Sequence, residues 1–180
     1  MSTCERGFSW LDRDRNNAVS SYIEGVFSLY PEVLKRANDI ARIIKVKIEG
    51  IDQFIQQNTS EVCPSCKNKC CINRHGYYDN LDILYIMALG MKPPLYQQEL
   101  SDTEPCRFLS DNGCVKERYL RPFRCNWYFC EALLNHMEEG PARPYREFIR
   151  VFNEILDLRS ELLNCVSKYC NKHTARPCAI

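Results

Sequence analysis

The chain has 180 residues, of which 26% are charged and 45% hydrophobic, and its 24 basic and 23 acidic side chains leave a net charge of +1. This balance provides no positive field that would attract nucleic acid. The amino terminus carries charges too early for a signal peptide, and no apolar run approaches membrane-spanning length. We therefore expect a cytoplasmic protein without a membrane partner, folded as a single domain over residues 1–180.

Apolar residues recur at helical spacing between residues 18 and 57, which predicts two helices separated at Pro31. The apolar stripe of the second helix consists of Val33, Ala37, Ile40, Ile44, Ile48, Ile51 and Ile55. Charged residues fill much of the remaining surface, so this stripe is expected to face the core. The polar stretch 56–60 predicts the end of the helix and a loop that leads into the first cysteines.

A compact helix is predicted next, because Asp79 or Asn80 can cap its start and Gly90 can end it in the left-handed conformation. Asn112 and Gly113 then form the strongest hairpin signal in the chain, since both accept the positive dihedral angles of a tight turn. This hairpin would bring together the cysteines on either side of it.

Two further helices are predicted after Cys130: a short one closed by Gly140, and a long amphipathic one over residues 145–169. Few stretches of the sequence alternate between apolar and polar residues as a half-buried β-strand does. We therefore predict a mainly α protein in which long helices surround an irregular cysteine-rich module with a short hairpin. This module covers residues 63–130, between the helical segments 18–57 and 145–170.

Twelve cysteines are the most unusual feature of the chain, and in a reducing compartment they indicate metal ligands or reactive thiols rather than disulfides. Eight of them form two blocks. The first block is Cys63, Cys66, Cys70 and Cys71, and the second is Cys106, Cys114, Cys125 and Cys130. Four thiolates hold one tetrahedral zinc ion or one cubane iron–sulfur cluster, so these eight side chains are the candidate metal ligands.

The number of centres is left open by the spacing of the cysteines. Cys63 and Cys66 have the two-residue gap that lets one loop direct two sulfurs at one metal. The adjacent Cys70 and Cys71 point in different directions, which makes chelation of one ion by both awkward. Two four-thiolate centres that exchange ligands between the blocks, and one centre with four structural thiols, both fit this pattern.

Basic side chains lie among the cysteines of the second block. They are Arg107, Lys116, Arg118, Arg121 and Arg124. Four thiolates around a divalent ion carry two net negative charges, which guanidinium groups can compensate by hydrogen bonds to sulfur. The alternative is a solvated basic surface.

The ordered motifs CPSCKNKCC and PCRFLSDNGCVKERYLRPFRCNWYFC resemble the YkgJ-like cysteine-cluster family of bacteria and archaea, described as a zinc- or iron-chelating domain. That family has a C-x-x-C-x-x(x)-C-C element, then a C-x-L-x(n)-C segment and an R-P-x-x-C-R-x-F-x-C ending. The resemblance covers residues 63–130 and implies that the eight block cysteines are ligands, with Arg121 and Pro122 as the RP pair. Asn126 stands where the family has arginine after the cysteine, so the resemblance implies nothing for that position.

A redox role is a competing interpretation of Cys63-Pro-Ser-Cys66, because a helix amino terminus lowers a thiol pKa and makes such a pair reactive. The strand that precedes a thioredoxin-type motif is absent from the sequence pattern, which argues against it. His75 is a further metal-ligand candidate, although enough cysteines are available without it. The aromatic residues beside the blocks are expected to shield the site from water. They are Tyr77, Tyr78, Trp127, Tyr128 and Phe129.

The remaining cysteines and histidines are expected to be spectators. They are Cys4, Cys165, Cys170, Cys178, His136 and His173. We thus expect a metal-binding protein that holds zinc or an iron–sulfur centre, with a partner protein or small-molecule substrate that the sequence does not identify. The alternatives are an iron–sulfur enzyme, or a component of one, with redox or protein-modification chemistry, and a metal-free thiol redox protein. No nucleotide-binding fingerprint or catalytic triad is present, so no catalytic residue is assigned.

Overall fold

A computed structural model of the chain describes residues 13–67, 69–94, 100–111 and 113–169. Its helices are α1 (Arg13–Leu29), α2 (Pro31–Val62), α3 (Asn80–Ala88), α4 (Glu131–Glu139) and α5 (Ala142–Ser167). Strands β1 (Leu109–Ser110) and β2 (Gly113–Cys114) form an antiparallel hairpin. The mainly α prediction is therefore confirmed, and Pro31 begins the second helix as expected.

Helix α2 is longer than predicted, because it continues through the polar stretch 56–60 and ends only at Val62. The prediction of a loop at this position was wrong. Asn58 and Thr59 donate side-chain hydrogen bonds to the backbone carbonyls of Phe54 and Ile55, one helical turn earlier. These polar residues therefore bond to the helix backbone instead of ending the helix.

The core lies where α2 packs against α5, α1 and α3. Ion pairs join Arg36 near the start of α2 to Glu161 near the end of α5, and Lys47 farther along α2 to Glu154 earlier in α5. The two helices are therefore antiparallel. The predicted α2 stripe is buried along its whole length. Within the described ranges, no helix has the length and apolar composition that a membrane crossing requires.

Helix α5 begins three residues before the predicted start and is described to Ser167. Its buried face consists of Phe148, Ile155, Arg159, Leu162 and Val166. Arg159 breaks the apolar pattern of this face, and periodicity alone did not single it out. Four aromatic rings, those of Phe54, Phe148, Phe152 and Phe123, stack in sequence where α2, α5 and the second cysteine block meet.

Helix α3 has both predicted end signals. Asp79 is the N-cap, and its carboxylate accepts from the backbone N–H of Asp82 while the Asp82 carboxylate accepts from the backbone N–H of Asp79. This reciprocal arrangement satisfies two of the unpaired donors at the helix start. Gly90 follows the helix with φ of +77°, in the left-handed region that an L side chain adopts only with strain.

We expect Gly90→Ala to lower the free energy of unfolding by roughly 1 kcal/mol, because alanine is strained at positive φ. Gly50→Ala is the matched control, since Gly50 lies inside α2 and an added Cβ would meet no atom within 4 Å. That change should raise stability by about 0.5–1 kcal/mol through helix propensity. Urea unfolding followed by circular dichroism measures both, and equal effects of the two changes would contradict the assigned conformation of Gly90.

Candidate metal centre

All eight block cysteines line one cavity of about 400 Å³. The cavity lies at the carboxyl end of α2, and its wall is completed by the segments around the hairpin and by the start of α4. Seven of these cysteines are partly buried, and Cys71 is exposed. The two blocks, 35 residues apart between Cys71 and Cys106, therefore meet in space.

The first block follows directly from the end of α2. Cys63 begins a short 3₁₀ turn, Cys63–Ser65, and the backbone N–H of Cys66 donates to the carbonyl of Cys63 over 3.2 Å. A tight turn of this kind presents two side chains to the same side of the chain, as the two-residue gap predicted. Farther along, His75 Nδ1 lies 2.8 Å from the carbonyl oxygen of Cys70, which fixes the chain after the Cys70-Cys71 pair.

The second block is attached to the first by main-chain hydrogen bonds. The N–H of Cys106 donates to the carbonyl of Cys71 over 2.9 Å, beside an isolated antiparallel bridge between Ile72 and Pro105. Asn73 strengthens this junction from within, since its side chain accepts from the N–H of Arg107 over 2.9 Å. The backbone of the two blocks is thus joined independently of the sulfurs.

The hairpin places the next candidate ligand of the second block. Cys114 pairs with Leu109 across the two strands, and Gly113 has φ of +100°, as the turn signal predicted. The part of that prediction that concerns Asn112 lies outside the described residues. Cys106 and Cys114 interact electrostatically with each other, so the hairpin does bring these two thiols together.

A buried charged network fixes the last part of the second block to the helices. The Asp82 carboxylate on α3 accepts from the backbone N–H of Phe123 over 3.2 Å and from Arg159 Nη1 on α5 over 3.0 Å. Burial raises the pKa of Asp82 to about 6, and the neighbouring Asp79 adds to the shift while Arg159 opposes it. This network positions the 3₁₀ turn Phe123–Asn126, which carries Cys125.

The thiols that line the cavity perturb each other's ionisation. Burial raises the pKa of Cys63, and Cys70, Cys130 and Cys66 contribute to the shift. Burial also raises the pKa of Cys125 to about 12, with further contributions from Cys114 and Cys106. A metal ion that binds here would have to displace these thiol protons, which pass to the solvent.

Cys70 and Cys71 interact directly. A hydrogen bond from the Cys70 thiol to the Cys71 sulfur raises the pKa of Cys70 and lowers the pKa of Cys71. A second hydrogen bond joins Cys70 to Cys130. One sulfur of the first block therefore contacts both its chain neighbour and the last cysteine of the second block.

Three of the five basic residues predicted near the ligands line the cavity: Arg118, Arg121 and Arg124. Arg118 is buried and forms an ion pair with Asp52 of α2, so its charge is already balanced. Arg121 lowers the pKa of Cys125 and so favours its thiolate. Arg107 and Lys116 instead lie over the ring of Phe108.

The chemistry of the donors fits a metal centre, whereas their spacing does not form a finished cage. Among the described residues, no group of three or more His, Cys, Asp or Glu side chains is arranged to hold a metal ion. The nine described cysteines are all free thiols. Four sulfurs gain no free energy by approaching each other to ligand distance unless they bind a common metal ion. The free energy that draws them together comes from the metal–sulfur bonds.

The other candidate ligands lie apart from the thiols or have other partners. His75 lines the cavity, but its Nε2 atom is 3.4 Å from Arg74 Nε and its Nδ1 atom contacts the Cys70 carbonyl, so both ring nitrogens have neighbours other than a metal. Its ring is tilted by 48° against that of Tyr128. Cys165 is on α5, where its thiol faces the carbonyl of Val33. Predictions for Cys4, Cys170, Cys178 and His173 lie outside the described residues.

His136 does have a partner that the sequence did not indicate. Its Nε2 lies 3.1 Å from Glu61 near the end of α2. Both side chains are more than a third exposed, and the residues that α4 buries are Leu133 and Met137.

Two residues beside the cysteines have surroundings that the sequence did not indicate. Gly76 packs so closely that a Cβ at this position would lie 2.9 Å from the Cys106 sulfur. Asn126 is completely buried, and neither polar atom of its side chain has a hydrogen-bond partner in the described part of the chain. An unpaired buried polar group costs about 1–3 kcal/mol. The Nδ2 group of an amide next to Cys125 could donate to a thiolate sulfur, whereas its Oδ1 atom, an acceptor, could not.

The Cys63-Pro-Ser-Cys66 pair lies at the wrong end of a helix for a reactive dithiol. It follows the carboxyl end of α2, where carbonyl groups carry partial negative charge that disfavours a thiolate. Burial, followed by the neighbouring thiols, raises the pKa of Cys63, which also disfavours its thiolate. The geometry therefore argues against the metal-free redox interpretation.

Comparisons with known proteins find no relative of this chain. Neither protein-family models, curated proteins nor solved structures match the chain. The likeness to YkgJ-like proteins therefore rests on the ordered motifs alone.

Proposed function

We propose that this protein binds metal through its eight block cysteines, as zinc or as an iron–sulfur centre, and that the bound metal organises residues 63–130. The observation that carries this proposal is the meeting of all eight thiols in one cavity, although they come from two distant stretches of the chain. Free thiols that are gathered without forming disulfides suit metal coordination. The motif resemblance points to the same chemistry.

The protein should be purified without oxygen and its zinc, iron and acid-labile sulfide measured per chain. Colourless protein that contains zinc would support closed structural coordination, and broad visible absorption with sulfide would support an iron–sulfur centre. Protein that contains neither metal after this preparation would refute the proposal.

Cys66→Ser is expected to contain less metal than the wild type and to give less soluble protein, because a serine hydroxyl is a poor ligand and the metal contributes folding energy. Cys165→Ser is the matched control, since Cys165 is also a partly buried free thiol but lies on α5 away from the cavity. Elemental analysis of both variants measures the effect. Unchanged metal in Cys66→Ser would remove this residue from the ligand set.

A second candidate function is an iron–sulfur enzyme or enzyme component, and the size of the cavity favours it. Its volume of about 400 Å³ lies within the range of small-molecule sites. Its wall also includes non-thiol groups that could contact a substrate, among them Gln56, Thr59 and Lys69. The sulfide and absorption measurements separate this function from a closed zinc site.

A further inference from the structure

We infer that the eight thiols form two adjacent metal centres, each with four sulfurs drawn from both blocks. The first quartet is Cys63, Cys66, Cys70 and Cys130, and the second quartet is Cys71, Cys106, Cys114 and Cys125. This inference rests on the proposed metal-binding function. It adds the number of centres and the ligands of each, which the spacing of the cysteines left open.

The first quartet is assembled at the end of α2. The turn Cys63–Ser65 presents Cys63 and Cys66 together. Cys130 is the N-cap of α4, and it lines the same cavity as Cys63 and Cys66, together with Leu133 of that helix. Cys63 interacts with the other three members of this quartet, and Cys130 with Cys70.

The second quartet is assembled around the junction of the two blocks. The 2.9 Å hydrogen bond from the Cys106 N–H to the Cys71 carbonyl places these residues side by side, and the hairpin adds Cys114. The Cys125 sulfur lies 3.9 Å from the carbonyl oxygen of His75, on the turn that also contains Gly76. The close approach of Gly76 to the Cys106 sulfur therefore brings Cys106 and Cys125 to the same turn.

The two quartets meet at the Cys70-Cys71 pair. Neighbouring side chains diverge from the backbone, so each of these two residues can serve a different ion while both line the same cavity. Cys71 also interacts electrostatically with Cys63 of the first quartet, as expected where two centres lie side by side. A single four-sulfur centre would leave four thiols, at most one of them exposed, in the same cavity with no chemical role.

Charge is compensated within the second quartet. Arg121 and Arg124 both line the cavity, and both lie within four residues of Cys125 in the chain. Two cations beside four thiolates and one divalent ion would neutralise the net charge of −2 that such a centre carries.

Serine variants of the full chain, purified without oxygen, test the assignment. Cys66→Ser and Cys114→Ser should each keep about half of the wild-type metal, because one four-ligand centre is intact in each. The double variant Cys66→Ser/Cys130→Ser removes two ligands of one quartet and should also keep half. Cys66→Ser/Cys114→Ser removes one ligand from each quartet and should lose nearly all metal, whereas Cys165→Ser should match the wild type.

An equal loss of bound metal in the two double variants would overturn the assignment. A Cys66→Ser/Cys114→Ser variant that keeps half of the wild-type metal would also overturn it. Native mass spectrometry of the wild type gives an answer that needs no variant: two zinc ions or two clusters per chain support the inference, and one overturns it. Wild-type protein without any metal would instead refute the proposed function, so the two failures are distinguishable.

Discussion

Arg159→Met is expected to lower the free energy of unfolding by about 3–5 kcal/mol, because it leaves a buried carboxylate without its counter-charge. Arg159 and Asp82 have side chains only 7% and 6% exposed, and they meet over 3.0 Å. The guanidinium also lies 4.0 Å from the centre of the Phe123 ring. Urea unfolding at pH 7, followed by circular dichroism, measures the loss.

Two further variants make this prediction specific. Arg159→Met/Asp82→Asn removes both charges and should recover part of the lost stability, since a neutral amide is less costly to bury than an unpaired carboxylate. Arg150→Met removes an arginine from the same helix that is 56% exposed and paired with Glu147 and Glu154, and it should leave stability nearly unchanged. An effect of Arg159→Met no larger than that of Arg150→Met would show that the buried pair does not stabilise the fold.

Ile155→Ala is expected to lower the free energy of unfolding by about 2–5 kcal/mol, because it removes buried apolar surface and leaves a cavity in a packed core. Ile155 is fully buried on α5 within the main hydrophobic cluster. Ile149→Ala is the matched control on the same helix, since Ile149 is 38% exposed. The Ile149→Ala change should lower the free energy of unfolding by roughly 1 kcal/mol or less. Equal losses in the two variants would contradict the assigned orientation of α5.

The helices could be predicted from the sequence because their signals are local. Apolar spacing placed α2 and α5, Pro31 marked the start of α2, and Gly90 marked the end of α3. The end of α2 was predicted too early. Polar residues near a helix end can bond either to the helix or to water, and composition does not distinguish the two outcomes.

The candidate ligands were also predictable, whereas the contacts that position them were not. The cysteine blocks are visible in the sequence as residue types at short spacings. These contacts join residues that are far apart in the chain. Asn73 bonds to Arg107, 34 residues away, Gly76 approaches Cys106, 30 residues away, and Arg159 lies 77 residues from Asp82. No local pattern marks such pairs, and Arg159 even interrupts the apolar stripe of its helix.

Local sequence is enough to establish the helical class, the core faces and the two cysteine blocks, because each depends on residues a few positions apart. The meeting of the two blocks in one cavity, and the different neighbours of Cys70 and Cys71, emerge only from the folded chain. Both depend on the antiparallel packing of α2 with α5 and on hydrogen bonds between distant segments. Such contacts form only when the whole core assembles, so they cannot be derived from the spacing of the cysteines alone.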